Sequence, residues 1–415
     1  MKKGGNRLLK NTVMLYIVTF SSYFFNFITV PYQTRILGPV IYGRLGFAQS
    51  LAVYFQMVLD FGFLLFGTAE VSRSRNDKYE LSKIMSAVIL CKLVLSGLCF
   101  TVAAGLCLMV PGFYEDRLLY ILCILSAVIN SFLPDYLYRG LEHMSVITYR
   151  TVGVRLFFMI SIFLFLKSRE QYHLIPLFNL TGGICSCIWV YHDVYRRLGI
   201  RVIRIHREYW FRTMKAAGSF FLSRIATTVY GATNTLILGF IYSGTNALGY
   251  YSSAEKLLTA ARSAFSPISD SLYPYMVVNR DFKLVKKVLV FFMPIVISGC
   301  VLTGIFAEPF CAFLLGEEFR ASGALLRLLL PAVVIALPTY LCGFPILTPL
   351  GLEKYANGSV MAGAGFHLIQ TAALFLTGNL TAEAVCIATV LTEYLVCLIR
   401  IYAIIVKRER KTPAK

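Results

Sequence analysis

Long apolar runs separated by short polar clusters recur from one end of the sequence to the other. Their bounds, loose by several residues, are about 12–32, 42–66, 84–110, 117–138, 146–166, 173–193, 214–241, 247–276, 286–307, 324–346, 355–377 and 381–406. Each gives a helix room for the roughly 18–25 residues that cross a ~30 Å hydrocarbon layer. Barrel strands would instead show as roughly ten-residue alternating segments, and these are absent. The pattern predicts an all-α polytopic membrane protein of about twelve transmembrane helices. The first run is too long for a cleavable signal peptide and lacks a small-residue cleavage site. It ends in the polar Pro31-Tyr32-Gln33-Thr34-Arg35.

Composition agrees with this reading. Of 415 residues 57% are hydrophobic and 15% charged, against roughly 25% charged in a soluble domain. The formal charge of +19 invites a nucleic-acid reading, so its placement matters. Alternate loops hold Lys2, Lys3, Arg7 and Lys10, then Arg73, Arg75, Lys78 and Lys83, then Arg139 and Arg150. The same side holds the basic cluster from Arg196 to Lys215, then Arg280, Lys283, Lys286 and Lys287, then Lys354, and the tail from Lys407 to Lys415. The opposite loops hold Arg35, Arg44, Arg117, Lys167, Arg169, Arg320 and Arg327. That asymmetry is the positive-inside pattern, with both termini cytoplasmic and an even number of spans. The excess charge is topological, and no nucleic-acid partner is expected.

The longest polar stretch lies at about 195–215 and divides six spans from six. We therefore expect an N-terminal six-helix bundle over 1–200, a basic cytoplasmic linker over 201–213 and a C-terminal six-helix bundle over 214–415. At an offset of 206 residues the stretch from Gly38 to Leu51 lies over that from Gly244 to Leu257. Gly38 and Gly244, Gly43 and Gly249, Ala48 and Ala254, and Leu51 and Leu257 then coincide, and Gln49 meets Glu255. An even number of spans separates the copies, so the repeat is parallel. Two bundles related by an axis along the membrane normal, with a central cleft, are expected. No phosphate-binding glycine loop of the ATPase type occurs.

A charged side chain at mid-span costs about 2.5–3.5 kcal/mol on insertion scales, which makes it a functional candidate. The seventh span carries Arg224 with Thr228, Gly231 and Thr235 on one face. The eighth carries Glu255, Lys256, Thr259, Arg262, Ser266 and Asp270, with Pro267 placed to bend it. In the first half, Ser22, Asn26, Thr29 and Gln33 line a face that ends at Arg35, Gln56 and Asp60 share another, and Lys92 lies about two turns into the third span. Each has an ordinary reading too. Arg35 and Arg44 also suit interfacial anchors, Lys92 can snorkel to the cytoplasm, and Glu255 and Asp270 can pair with Arg262 or Lys256. Arg400, seven residues after Glu393, reads as its near-surface partner, and His367 as a packing residue or a proton site.

A cavity with arginines suits anions, because the guanidinium fork matches phosphate oxygens and stays charged in a low dielectric. No catalytic triad order, metal-spaced histidines or outer-face domain is present, and the cysteines are scattered through apolar spans. Neither a cofactor nor a metal site is expected.

Several stretches carry a family likeness. Thr34-Arg35-Ile36-Leu37-Gly38-Pro39 is followed by Tyr42-Gly43 and Phe47-Ala48-Gln49-Ser50, then by Leu59-Asp60-Phe61-Gly62-Phe63 and Gly67-Thr68-Ala69-Glu70. Farther on come Phe221-Leu222-Ser223-Arg224-Ile225, Leu248-Gly249-Tyr250-Tyr251 and Ala254-Glu255-Lys256. The sequence resembles the Wzx-type O-antigen and polysaccharide flippases of the multidrug/oligosaccharidyl-lipid/polysaccharide exporter superfamily. The resemblance implies a two-bundle, twelve-helix transporter of the bacterial inner membrane that works by alternating access. The cargo it implies is an undecaprenyl-pyrophosphate-linked oligosaccharide, with the pathway's polymerase and chain-length regulator as partners. Arg35, Arg224 and Arg262 would form the cationic cavity. Asp60, Lys92, Glu255, Lys256 and Asp270 would line it or serve ion coupling, with H+ or Na+ carried at Asp60, Glu255 or Asp270. A cation-coupled multidrug exporter should rest on unpaired core acids, whereas arginines are as prominent here. A membrane polymerase should carry a large outer loop, which this sequence lacks.

Overall fold

The computed structural model describes the backbone of residues 2–109 and 111–409, and side chains from 13 to 406 except 15, 107, 109–112, 222–224, 226–231 and 274. Every regular element among the described residues is helical. Nine helices there are long and apolar enough to cross a membrane. One of them, Tyr16–Arg73, holds two passes, because helix Lys2–Asp60 turns at Gly38, where φ is 70° and ψ 169°. Glycine takes that backbone at no steric cost. Helix Arg207–Tyr242, and Asn246–Ser263 followed by Ser266–Asn279, are long enough for two further passes. The architecture is thus the all-α polytopic one expected, with about twelve spans.

The helices form two compact units, one of Met1–Ile36 and Phe47–Thr228, the other of Leu37–Gly46 and Val229–Lys415. In the first, glycines set how closely helices approach. A methyl group on Gly67 would stand 2.6 Å from the Tyr136 ring, and one on Gly140 2.4 Å from Val71 Cγ1. Helix Phe63–Arg73 therefore lies directly on Asp135–Gly140. Phe47, Phe113 and Tyr120 form a ring cluster with centroids 4.4, 5.6 and 6.0 Å apart. The extended chain after Gly199 is tied to helix Lys78–Met109. Arg201 N donates to Ser82 Oγ at 3.1 Å, and Ile203 N to Ser86 Oγ at 2.8 Å.

In the second unit, segment Leu37–Gly46 packs on helix Asn246–Ser263. A methyl group on Gly249 would stand 2.0 Å from the Pro39 carbonyl oxygen, and one on Gly43 2.7 Å from Gly249 N. The Cβ position of Gly46 lies 2.8 Å from Ser252 Oγ. Residues 206 apart thus meet twice, 43 with 249 and 46 with 252. Gly38 and Gly244 also share a left-handed backbone, with φ of 70° and 81°. The spacing read in the sequence has a physical counterpart: matching segments cross where neither side presents a bulky side chain.

Helix Phe282–Ile305 buries Val285 but exposes Val290, Phe291, Ile295, Val301 and Leu302. An apolar helix exposed on most sides fits a lipid-facing place. Arg400 is buried and donates from Nε to Ser359 Oγ at 2.9 Å and from Nη1 to the Thr339 carbonyl at 2.6 Å. It thereby satisfies a carbonyl in the last turn of Ser322–Leu341, where cations are favoured. The near-surface pairing with Glu393 expected for it is corrected, since Glu393 pairs elsewhere.

Candidate functional site

Among the described residues each unit brings some of its charged side chains together. In the first unit, Asp60 closes the Lys2–Asp60 helix and accepts from Gln56 Nε2 at 3.2 Å. Lys92 does not snorkel. It is buried, and its Nζ donates to the Ser131 carbonyl, the last of helix Arg117–Ser131. The same nitrogen lies 6.0 Å from the Phe63 ring centre, within electrostatic reach of Asp60 and Asp135. A cation at that helix end meets both the negative pole and an orphan carbonyl. Asp135 itself is gripped by Arg150, with Nη1 on Oδ1 at 2.5 Å and Nη2 on Oδ2 at 3.1 Å. This bidentate pair was not anticipated. Its only sequence signal is an acid placed just after the Leu133-Pro134 break, which does not point to Arg150. Arg35 belongs to this unit and is exposed. The Arg224 side chain lies outside the described residues, on a backbone within helix Arg207–Tyr242.

In the second unit the eighth span is not one continuous stripe. It breaks at Ala264 and Phe265, and Pro267 is the second residue of the helix that follows. The break follows from proline chemistry, since Pro267 has no N–H to offer and is tolerated in the first turn of a new helix. Arg262 therefore occupies the last turn of Asn246–Ser263, midway along the segment 246–279 and beside the negative pole of that helix. Its Nη2 forms an ion pair with Glu393 Oε1. Glu255 accepts from Thr235 Oγ1, so the two polar stripes predicted on the seventh and eighth spans do meet. Lys256 Nζ lies 4.9 Å from the Tyr42 ring centre. Asp270 stands beyond the break and is exposed.

Deeper in this unit runs a network of neutral polar groups. His367 Nε2 meets Asn234 Oδ1 at 2.6 Å, and its Nδ1 meets Thr392 Oγ1 at 3.1 Å. Asn234 Nδ2 donates to Thr389 Oγ1 at 2.9 Å, and Gln370 Nε2 to Thr392 Oγ1 at 3.0 Å. An amide oxygen only accepts, so Nε2 carries the hydrogen. Both ring nitrogens are engaged, as the packing reading of His367 requires. Among the described residues no three His, Cys, Asp or Glu side chains cluster as a metal site would.

A broken helix with an arginine at the break is a place that suits an anion. In transporters, substrate sites commonly lie near the midplane on such discontinuous helices. The family of polysaccharide biosynthesis proteins matches residues 8–279. This chain belongs to that family.

Two curated relatives of this polysaccharide biosynthesis protein carry the description "Putative O-antigen transporter". The one from Shigella dysenteriae is 28% identical over 95% of this chain and 99% of its own length. The one from Escherichia coli K12 is 27% identical over 68% of this chain and 69% of its own. Among solved structures, the lipid II flippase MurJ in an inward closed conformation superposes with a TM-score of 0.71. It covers 95% of this chain and 87% of MurJ at 11% identity. A Vibrio cholerae MATE transporter gives 0.55 at 16% identity, over 98% and 97% of the two chains. These likenesses show the fold. The family and its relatives identify a bacterial multi-pass membrane protein of polysaccharide biosynthesis.

Proposed function

We propose that this protein is a flippase that moves an undecaprenyl-pyrophosphate-linked oligosaccharide from the cytoplasmic to the periplasmic leaflet of the bacterial inner membrane. The observation that carries the reading is Arg262 at the break of a helix, within a family of polysaccharide biosynthesis. A guanidinium matches diphosphate oxygens in a fixed fork and stays charged at low dielectric. The relatives' description as O-antigen transporters supports cargo of this kind. The protein acts as a transporter and not an enzyme, by alternating access, with both termini in the cytoplasm. Arg35, Arg224 and Arg262 contact the anionic head of the cargo while its polyprenyl tail stays in lipid. A proton or sodium ion drives the cycle, carried among Asp60, Glu255 and Asp270, and one charge crossing 100 mV supplies about 2.3 kcal/mol. The polymerase and chain-length regulator of the pathway receive the product.

Deleting the gene and restoring it as wild type, Arg262→Ala, Arg224→Ala, Arg224→Lys or Arg35→Ala tests this in cells. With membrane expression matched, the alanine variants are expected to lose surface polysaccharide and to accumulate lipid-linked repeat units facing the cytoplasm. Arg224→Lys is expected to recover part of the loss, because charge remains and the fork does not. Single repeat units that reach the surface unpolymerised in the deletion strain would contradict the reading and indicate a polymerase.

A further inference from the structure

Arg155 stands at the middle of the 22-residue span Met144–Phe165. At 1.5 Å per residue each end of the helix is about 15 Å away, and snorkelling serves residues near helix ends. Two long-range bonds fix what lies at its level. Thr148 Oγ1 donates to the Met14 carbonyl at 3.0 Å, and Tyr32 Oη donates to the Leu166 carbonyl at 2.9 Å. Both bonds join residues 134 apart, so the span runs parallel to helix Lys2–Asp60 and in register with it. Thr148, Arg155 and Ile162 follow one another at two-turn spacing on a single face. Thr148 and Ile162 are buried, and Arg155 between them is partly exposed. By the same register Arg155 lies level with Ser21 and Ser22, whose hydroxyls both donate to the Val18 carbonyl.

Other arginines within the spans hold partners. Arg150 grips Asp135, Arg262 pairs with Glu393, and Arg400 donates to the Ser359 hydroxyl and the Thr339 carbonyl. Among the described residues Arg155 makes neither a hydrogen bond nor an ion pair, and no other charge acts on it. Helix Lys2–Asp60, which runs beside it, carries no acid before Asp60. A guanidinium at the centre of a span is costly unless something neutralises it, and it stays charged at low dielectric. The folded chain supplies no counter-charge, so an anion from outside the chain does.

We propose that Arg155 is a binding residue of the first unit for the diphosphate of the lipid-linked cargo. This rests on the flippase reading above. Arg155 brings five N–H donors in a planar fork to the middle of a span, and phosphate oxygens match that fork two at a time. The serines at its level bring no carboxylate, so no acid of helix Lys2–Asp60 competes for the guanidinium there. Without cargo the charge is unfavourable where it stands, and a bound diphosphate relieves it. Arg155 thus stabilises the complex and not the cargo-free fold, as binding sites commonly do at some cost to stability.

The test uses the purified full-length protein in nanodiscs of zwitterionic lipid, with undecaprenyl diphosphate and undecaprenol as paired probes. Wild type is expected to bind the diphosphate more tightly than the alcohol. Arg155→Gln is expected to bind the diphosphate roughly 10–150-fold more weakly, the worth of a hydrogen bond to a charged group. Its affinity for the alcohol is expected to stay as in wild type. Arg155→Lys is expected to fall between, since the charge remains and the fork does not. Without probe, Arg155→Gln is expected to melt no lower than wild type, because an uncompensated charge is gone. An undiminished preference for the diphosphate in Arg155→Gln would overturn the proposal, as would equal affinity of wild type for the two probes. A variant that melts well below wild type would also overturn it and make Arg155 a structural residue of the helix seam. Phosphatidylglycerol added to the nanodiscs is expected to leave the wild-type preference intact, and abolition of that preference would assign the site to an ordinary lipid headgroup instead. Failure of the flippase reading shows elsewhere: the deletion strain would not accumulate lipid-linked repeat units, whatever Arg155→Gln binds.

Discussion

Gly249→Ala is expected to give a protein that is poorly recovered from the membrane and melts well below wild type in detergent. The new methyl group would stand 2.0 Å from the Pro39 carbonyl oxygen and 2.6 Å from its carbon. Those atoms are backbone, fixed by the left-handed turn at Gly38, so no side chain can swing aside. Forcing extra volume into a packed contact costs about 1–3 kcal/mol or more, and here two helix segments must separate to admit it. Gly299→Ala is the control. Nothing lies within 4 Å of its Cβ position, and replacing a mid-helix glycine by alanine gains roughly 0.5–1 kcal/mol. Thermal melts of both variants by size-exclusion recovery check the contrast. Equal melting temperatures would mean that Gly249 and Pro39 are not in contact in the native protein.

Arg150→Ala is expected to be the most damaging single charge deletion in the first unit. Arg150 is 8% exposed and grips both oxygens of Asp135. Removing it takes both hydrogen bonds from a partly buried carboxylate, with Lys92 still within electrostatic reach, at a cost of about 1–3 kcal/mol. Asp135 begins the short helix Asp135–Gly140, whose Gly140 packs on Val71. Loosening it therefore disturbs the contact with Phe63–Arg73. Arg150→Ala combined with Asp135→Ala is expected to be more stable than Arg150→Ala alone, because the stranded charge is gone. Unfolding measured on the two singles and the double gives the coupling energy. Additive losses would show that the pair contributes nothing beyond its separate residues.

The spans were legible because hydropathy is a property of the chain itself, and a lipid interior demands it of every crossing segment. The turns at Gly38 and before Pro267 were legible for a similar reason: only certain residues tolerate those backbones. The glycine repeat could be read as spacing, but not as the contact it turned out to make between Gly43 and Gly249. Partners were another matter. Lys92 finds the Ser131 carbonyl, a group that every residue carries and that leaves no mark in a sequence. Glu393 pairs with Arg262 on a distant helix and not with Arg400 on its own. Helical spacing gives the face of a residue, while the rotation of its neighbours decides what it meets. The bend expected at Pro267 is a full break between Asn246–Ser263 and Ser266–Asn279, which parts Asp270 from Glu255 and Arg262.

These contacts give the second unit a consistent chemistry. Neutral polar groups around His367 are satisfied among themselves, and Arg400 is committed to the end of Ser322–Leu341. Arg262 stands at a helix break and forms an ion pair with Glu393. In a polysaccharide biosynthesis protein an anionic, lipid-linked sugar is the ligand that such a charge suits.

Transport by the purified protein alone is the measurement to make. Proteoliposomes would carry an undecaprenyl-diphosphate-linked disaccharide labelled on its sugar, and a membrane-impermeant quencher would read how much label faces outside. Wild type is expected to exchange the label between leaflets far faster than protein-free vesicles, and Arg262→Ala to fall close to the protein-free rate. Exchange no faster than in protein-free vesicles, with either a proton or a sodium gradient imposed, would contradict a lipid-linked oligosaccharide flippase.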